Sequence, residues 1–433
     1  MRDFLPRLQA FRSKFEDLLA AARKNAAQAR VWPAGRATRL REQTGFGANP
    51  GNLRMFVYAP ENLPPNAPLV IALHGCTQSA ADYDDGTGWS SLADSLGFAV
   101  VYPQQQPTNN PKNCFSWFLP DDLARGQGEA RSIRQMVEHA IATFAADRRK
   151  VFVTGLSAGG AMASVMLATY PEVFAGGAII AGLPYGCAIN VQQAFEAMFM
   201  EQRRAAAALG DTVRSASRHR GPWPKISVWH GTSDPIVKPS NGEDIVRQWT
   251  NVHGLSDSPS YQELIGGHTR RIWSNTNGEA LIEAFTIRGM AHGVPLATTG
   301  GESCGAPGSF FLDVGISSTH HIARFWRLHE SLIEMPRAAA PMSAPIQIST
   351  DDRAFIIAGA TVEGSHSSAE PLLAEEERQT SYPLDPNAVI AAAFRAAGLP
   401  VLEVPAAPLG ATPCVTPGPI IAAALKAAGL RQS

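Results

Sequence analysis

Val151-Phe-Val-Thr-Gly-Leu-Ser-Ala-Gly-Gly160 is the stretch on which the reading of the chain turns. Its first residues are β-branched and aromatic, which suits a strand, and the Ala- and Met-rich run after Gly160 suits a helix. Between them lies Gly155-x-Ser157-x-Gly159. A serine on a sharp strand-to-helix turn needs small neighbours, because side chains beside it would collide with the backbone. The bare pattern arises readily in a chain with 38 glycines. The strand before it and the helix after it single out Ser157 as a nucleophile exposed at a helix N-terminus.

Working outward, short β-rich runs at 53–58, 69–73, 98–102, 150–154, 177–181, 226–229 and 281–287 alternate with helical stretches at 128–145, 160–170, 242–250 and 319–330. That alternation predicts an α/β fold with a mostly parallel sheet covered on both faces. Such folds place their chemistry at the C-terminal ends of strands. The run 189–220 is helical in composition with no strand of its own, and is expected to leave the sheet as part of a cap. Three regions follow: an amphipathic helix and linker over 1–49, a catalytic domain over 50–334, and a Pro/Ala-rich tail over 335–433. Within the tail, 389–399 recurs as 420–430, which predicts two short helices ended by Gly on Pro-rich tethers. Their own domain, a partner subunit and a polymer granule are all open as the surface they fold against.

A serine hydroxyl is a weak nucleophile near neutral pH, so it needs a base in reach and a third group to fix that base's tautomer. In an elbow of this kind the chain order is serine, acid, histidine. Asp234 follows the strand at 226–229 in Trp229-His-Gly-Thr-Ser-Asp-Pro-Ile-Val237, where a turn-forming role before Pro235 is the plainer alternative. His292 follows the last strand in Gly289-Met-Ala-His-Gly-Val294 and is the expected base. His268, His320 and His321 are its rivals. The tetrahedral intermediate needs two donors aimed at its oxygen. The Ala158 amide is one, and the Cys76 amide, in Leu73-His-Gly-Cys-Thr-Gln78 after a strongly apolar strand, is expected to be the other.

Composition narrows the partners. The net charge is -1, from 37 basic and 38 acidic residues, and no basic block is interleaved with aromatics, which argues against nucleic acid. No apolar run reaches 18 residues, so no transmembrane segment is expected. The N-terminal apolar residues are interrupted by charges, unlike a standard signal peptide, and a cytoplasmic location is the expectation. Five cysteines show neither a CxxC pair nor metal-ligand spacing, and neither a metal nor an organic cofactor is called for. Cys76, Cys114, Cys187 and Cys304 fall in the catalytic region with room for one or two disulfides of open pairing.

Taken with Asn113-Cys-Phe-Ser-Trp117 and Gly155-Leu-Ser-Ala-Gly-Gly-Ala-Met162, the three segments quoted above resemble those of the polyhydroxybutyrate depolymerase family of esterases, itself similar to feruloyl and acetylxylan esterases. The resemblance spans about residues 50–330. It implies the α/β-hydrolase fold and hydrolysis of polyhydroxybutyrate or its 3-hydroxyacyl oligomers through an acyl-enzyme. It also implies that the Cys76 amide meets the oxyanion and that Trp117, beside Cys114, sits at the substrate site. Secreted depolymerases of this kind carry an export signal and a separate binding domain, which points here to an intracellular or oligomer-directed esterase. Two other readings stand beside it: an esterase of feruloyl or acetyl groups on polysaccharide, and a non-catalytic protein of the same fold that binds granules.

Overall fold

A computed structural model of the chain describes residues 38–201 and 204–329. The expected N-terminal helix and the tail with its two repeats lie outside the described residues. Ten strands form one sheet: β1 (Arg41–Gln43), β2 (Arg54–Tyr58), β3 (Leu69–Leu73), β4 (Ala99–Gln104), β5 (Val151–Leu156), β6 (Gly176–Ile180), β7 (Lys225–Gly231), β8 (Tyr261–Ile265), β9 (His268–Ser274) and β10 (Ala280–Ile287). Their order is β1-β2-β4-β3-β5-β6-β7-β10-β9-β8. From β4 to β10 every neighbour runs parallel, and the antiparallel pairs lie on the two flanks. The strand that carries the serine is thus in the interior of the parallel part.

The parallel strands are apolar throughout because helices cover both faces. In β3, Leu69, Ile71 and Leu73 face one hydrophobic cluster while Val70 and Ala72 face the other. In β5, Val151 and Val153 share the first face, and Phe152 on the second stacks on Trp326 at 4.8 Å. The helix Ala158–Thr169 is buried at every position, which explains why its sequence shows no polar stripe. Its Gly and Ala residues let it lie close against the sheet.

Three features differ from the sequence reading or extend it. The sheet begins with β1 at Arg41, ahead of the boundary expected at residue 50, because Arg41–Gln43 pairs antiparallel with β2. The hairpin β8–β9 extends the other edge. Its turn, Gly266-Gly267, has φ values of 58° and 83° that suit a tight hairpin. The excursion at 189–220 falls between β6 and β7, as expected, and holds two helices, Val191–Phe199 and Ala206–Ser215.

Candidate active site

Ser157 joins β5 to the helix Ala158–Thr169 with φ 57° and ψ -117°, a backbone state that costs an L residue about 1–3 kcal/mol. Its amide donates to Ile180 O at 2.9 Å and its carbonyl accepts from Ala161 N–H at 2.8 Å, so the neighbouring strand and the helix hold the strain. The two glycines are sterically required. A Cβ on Gly155 would sit 2.4 Å from Gly159 C and O, and one on Gly159 would sit 2.3 Å from Leu73 O and 2.4 Å from His74 O. The elbow therefore presses directly against the end of β3, where the loop with Cys76 begins.

Asp234 and His292 lie after β7 and β10, which are adjacent parallel strands, so their loops leave the sheet at the same end. His292 Nδ1–H donates to Asp234 Oδ2 at 2.7 Å. Asp234 Oδ1 accepts from Ile236 N–H and Val237 N–H, each at 2.9 Å. The turn-forming role and the histidine contact are thus divided between the two oxygens. Burial disfavours the charged carboxylate, yet His292, together with His230, outweighs it and holds the Asp234 carboxyl well below the usual range. With Nδ1 protonated toward Asp234, Nε2 is the basic nitrogen of His292. Past His292, Val294–Leu296 pairs in parallel with Phe311–Asp313, and Val294 N–H donates to Phe310 O at 2.8 Å, which fixes the loop.

Ser157 and His292 share a pocket with Gly75, Cys76, Gln78, Leu156, Met198, Ile236 and Phe310. Apart from Gln78 and the serine and histidine, its side chains are apolar. Among the described residues, neither Cys76 N–H nor Ala158 N–H has a protein acceptor, so both are available to an oxygen on bound substrate. Cys76 is disulfide-bonded to Cys114, and among the described residues Cys187 and Cys304 are free. The bond ties the loop after β3 to the segment after β4. That segment is held in turn by buried Glu129, which accepts from Ser116 N–H at 2.8 Å and from Gln105 Nε2. His74 braces the same junction: Nδ1–H donates to Gly75 O and Nε2 accepts from Gln105 N–H, while burial lowers its pKa to about 4 and keeps it neutral.

The rival histidines are engaged elsewhere. His268 contacts Val314 O through Nε2 and accepts Arg288 N–H at Nδ1. His321 packs against Trp229 and Phe285 and pairs with Glu302, with which His320 also interacts. Trp117 is not among the pocket residues. It is 7% exposed, belongs to the larger core cluster, and meets Phe118 edge-on. Sequence reasoning did not single out His230, whose Nε2 lies 3.3 Å from Asp234 Oδ2 and 2.9 Å from Val237 O, nor Gln78, Met198, Ile236 and Phe310. Gln78 and His230 sit inside motifs already quoted; Met198 and Phe310 carry no local signal.

An elbow serine and a histidine oriented by a buried carboxylate line one pocket with Cys76, and Ala158 follows the serine in the chain. The family model Esterase PHB depolymerase matches residues 55–271. The chain belongs to this family of esterases. The esterase is 49% identical over 289 residues to poly(3-hydroxyalkanoate) depolymerase C of Paucimonas lemoignei, a match covering 66% of this chain and 70% of that protein. It is 37% identical over 276 residues to an acetylxylan esterase of Coprinopsis cinerea, covering 62% and 71%. Among solved structures, an acetyl xylan esterase from Aspergillus awamori superposes with a TM-score of 0.57 at 26% identity, covering 67% of this chain and 99% of that one. The esterase is a carboxylic ester hydrolase with the α/β-hydrolase fold. Among the described residues, no helix is long and apolar enough to cross a membrane.

Proposed function

We propose that the esterase hydrolyses poly(3-hydroxyalkanoate), or its short oligomers, through an acyl-enzyme on Ser157. The observation that carries this reading is the Asp234–His292 pair at 2.7 Å beside an elbow serine in an apolar pocket, in a chain 49% identical to a polyhydroxyalkanoate depolymerase. His292 Nε2 takes the Ser157 Oγ proton as Oγ attacks the ester carbonyl carbon. The oxyanion accepts hydrogen bonds from Cys76 N–H and Ala158 N–H. As the carbon–oxygen ester bond breaks, His292 returns the proton to the departing alkoxide, which leaves as the hydroxyl end of the shortened chain. Water then attacks the acyl-enzyme by the same route and frees a carboxylic acid and Ser157. Leu156, Met198, Ile236 and Phe310 suit an aliphatic acyl group, which has apolar area to bury and few polar atoms to satisfy.

A polysaccharide esterase is the second reading, supported by the acetylxylan esterases of related sequence and structure. Turnover on 3-hydroxybutyrate oligomers, methyl ferulate and acetylated xylan, measured in parallel, separates the two. Preference for the oligomers by an order of magnitude or more supports the polyester reading, and preference for ferulate or acetylxylan overturns it. Ser157→Ala is expected to lower turnover on each substrate by several orders of magnitude with folding intact. Retention of a tenth of wild-type activity would remove Ser157 from the mechanism.

A further inference from the structure

One side-chain atom of Gln78 has a structural role and the other does not. Its side chain is 6% exposed and lines the same pocket as Ser157 and His292. Oε1 accepts from Gly75 N–H at 2.7 Å, while the Gln78 amide N–H donates back to Gly75 O at 3.3 Å. The first bond fixes which way the side-chain amide faces. Turned over, it would set an NH₂ group against the Gly75 N–H, donor against donor. Nε2 must therefore carry its two protons on the other side, and there it is buried with no hydrogen-bond partner among the described residues.

A buried donor left without an acceptor costs about 1–3 kcal/mol. The unmade bond thus leaves room for an acceptor that no described residue supplies. Gln78 and Cys76 belong to one turn, and the other side chains lining the pocket, Ser157 and His292 aside, are apolar. An ester brings an acceptor to that wall in its carbonyl oxygen, which gains negative charge as Ser157 Oγ attacks.

We propose that Gln78 Nε2–H is a third donor to the oxyanion, beside the amides of Cys76 and Ala158. This rests on Ser157 being the nucleophile. The donor is held in place before substrate arrives, because Oε1 is already tied to the backbone of the loop that carries Cys76. Its bond strengthens as the carbonyl oxygen becomes an alkoxide, so it acts on turnover more than on ground-state binding.

The test uses the full chain, p-nitrophenyl butyrate as substrate, and butylboronic acid as a probe that forms a tetrahedral adduct on the serine. Gln78→Met is expected to lower kcat about 100-fold with KM changed by less than about threefold. Boronic acid affinity should weaken by a similar factor; because Gln78→Met also leaves Gly75 N–H without its acceptor, a lower melting temperature accompanies it, and Gln78→Glu, which keeps that bond, separates the lost donor from the lost tether. Gln78→Glu keeps an oxygen for Gly75 N–H and loses the donor, and should lose kcat to at least the same degree at pH 8. Retention of kcat within about threefold by either variant, or a loss of kcat with boronic acid affinity intact, overturns the proposal. If Gln78→Met fails to fold, Gln78→Glu decides alone by the same two readouts. Unchanged boronic acid affinity or turnover in Ser157→Ala would bring down the nucleophile reading itself, a result distinguishable from failure at Gln78.

Discussion

Replacing both members of the disulfide, as Cys76→Ala with Cys114→Ala, is expected to weaken the fold and misalign the oxyanion loop together. The two cysteines are 38 residues apart, and closing a loop of that length removes unfolded-chain entropy on the order of 4 kcal/mol at 25 °C. For a domain of this size such a loss lowers the melting temperature on the order of 10 °C. The functional effect follows from what remains. Without the bond, the loop is held by Thr77 N–H on Lys112 O at 2.6 Å and by Gly75 N–H on Gln78 Oε1 at 2.7 Å. These keep Cys76 near its place but let its amide drift by some fraction of an ångström, and misplacement by a full ångström costs about 100-fold. The expected loss in kcat is therefore about tenfold, with KM little changed. Urea unfolding followed by tryptophan fluorescence, together with p-nitrophenyl butyrate hydrolysis, reads both effects. A double variant within about 1 kcal/mol of wild type and within about twofold in kcat would refute the reasoning, since the bond would then constrain neither the unfolded chain nor the loop.

Other perturbations probe separate parts of the argument. Gly159→Ala drives a methyl into two backbone oxygens that cannot yield, so it should cost about 1–3 kcal/mol or more and reduce turnover about 100-fold by displacing Ser157. Gly301→Ala, with nothing within 4 Å, should be near neutral, and equal effects from the two would contradict the steric account. Burial, aided by Asp122, pushes the Glu129 carboxyl up from 4.5 to about 8. A raised folded-state pKa means that its stabilising contribution is full below 4.5 and is lost as pH rises toward 8. Stability measured by urea at pH 5 and at pH 8 should thus fall more in wild type than in Glu129→Gln, and identical slopes would show that Glu129 does not titrate in this window. Trp117→Ala should cost about 3–5 kcal/mol and reduce oligomer and short-ester hydrolysis in parallel. Loss confined to oligomers at an unchanged melting temperature would instead make the indole a substrate contact.

Local rules carried the sequence a long way. The Gly155-x-Ser157-x-Gly159 elbow was legible because its constraint is steric and acts between neighbours in the chain and the next strand. The parallel strands were legible because a strand buried on both faces is apolar at every position, and their expected limits fall within a few residues of those in the structure. Asp234 and His292 were found through the order of loops at one end of a parallel sheet, and their side chains meet there. The hairpin β8–β9 went unread although Gly266-Gly267 is a turn signal, because Tyr261 and Leu264 on its first strand are exposed and leave no buried pattern.

What tertiary structure decided is of another kind. The sequence by itself determined the elbow and the class of sheet, which follow from backbone sterics and hydrophobic period, while the order of serine, acid and base was read from the loop order of such a sheet. Only the folded chain decided that Cys76 pairs with Cys114, that Trp117 packs in the core, that Asp234 serves a turn through one oxygen and His292 through the other, and that Gln78 Nε2 meets no partner among the described residues. Each of these depends on which atoms of distant loops come within about 3–4 Å of one another, and contacts of that range are set by packing that no local pattern encodes.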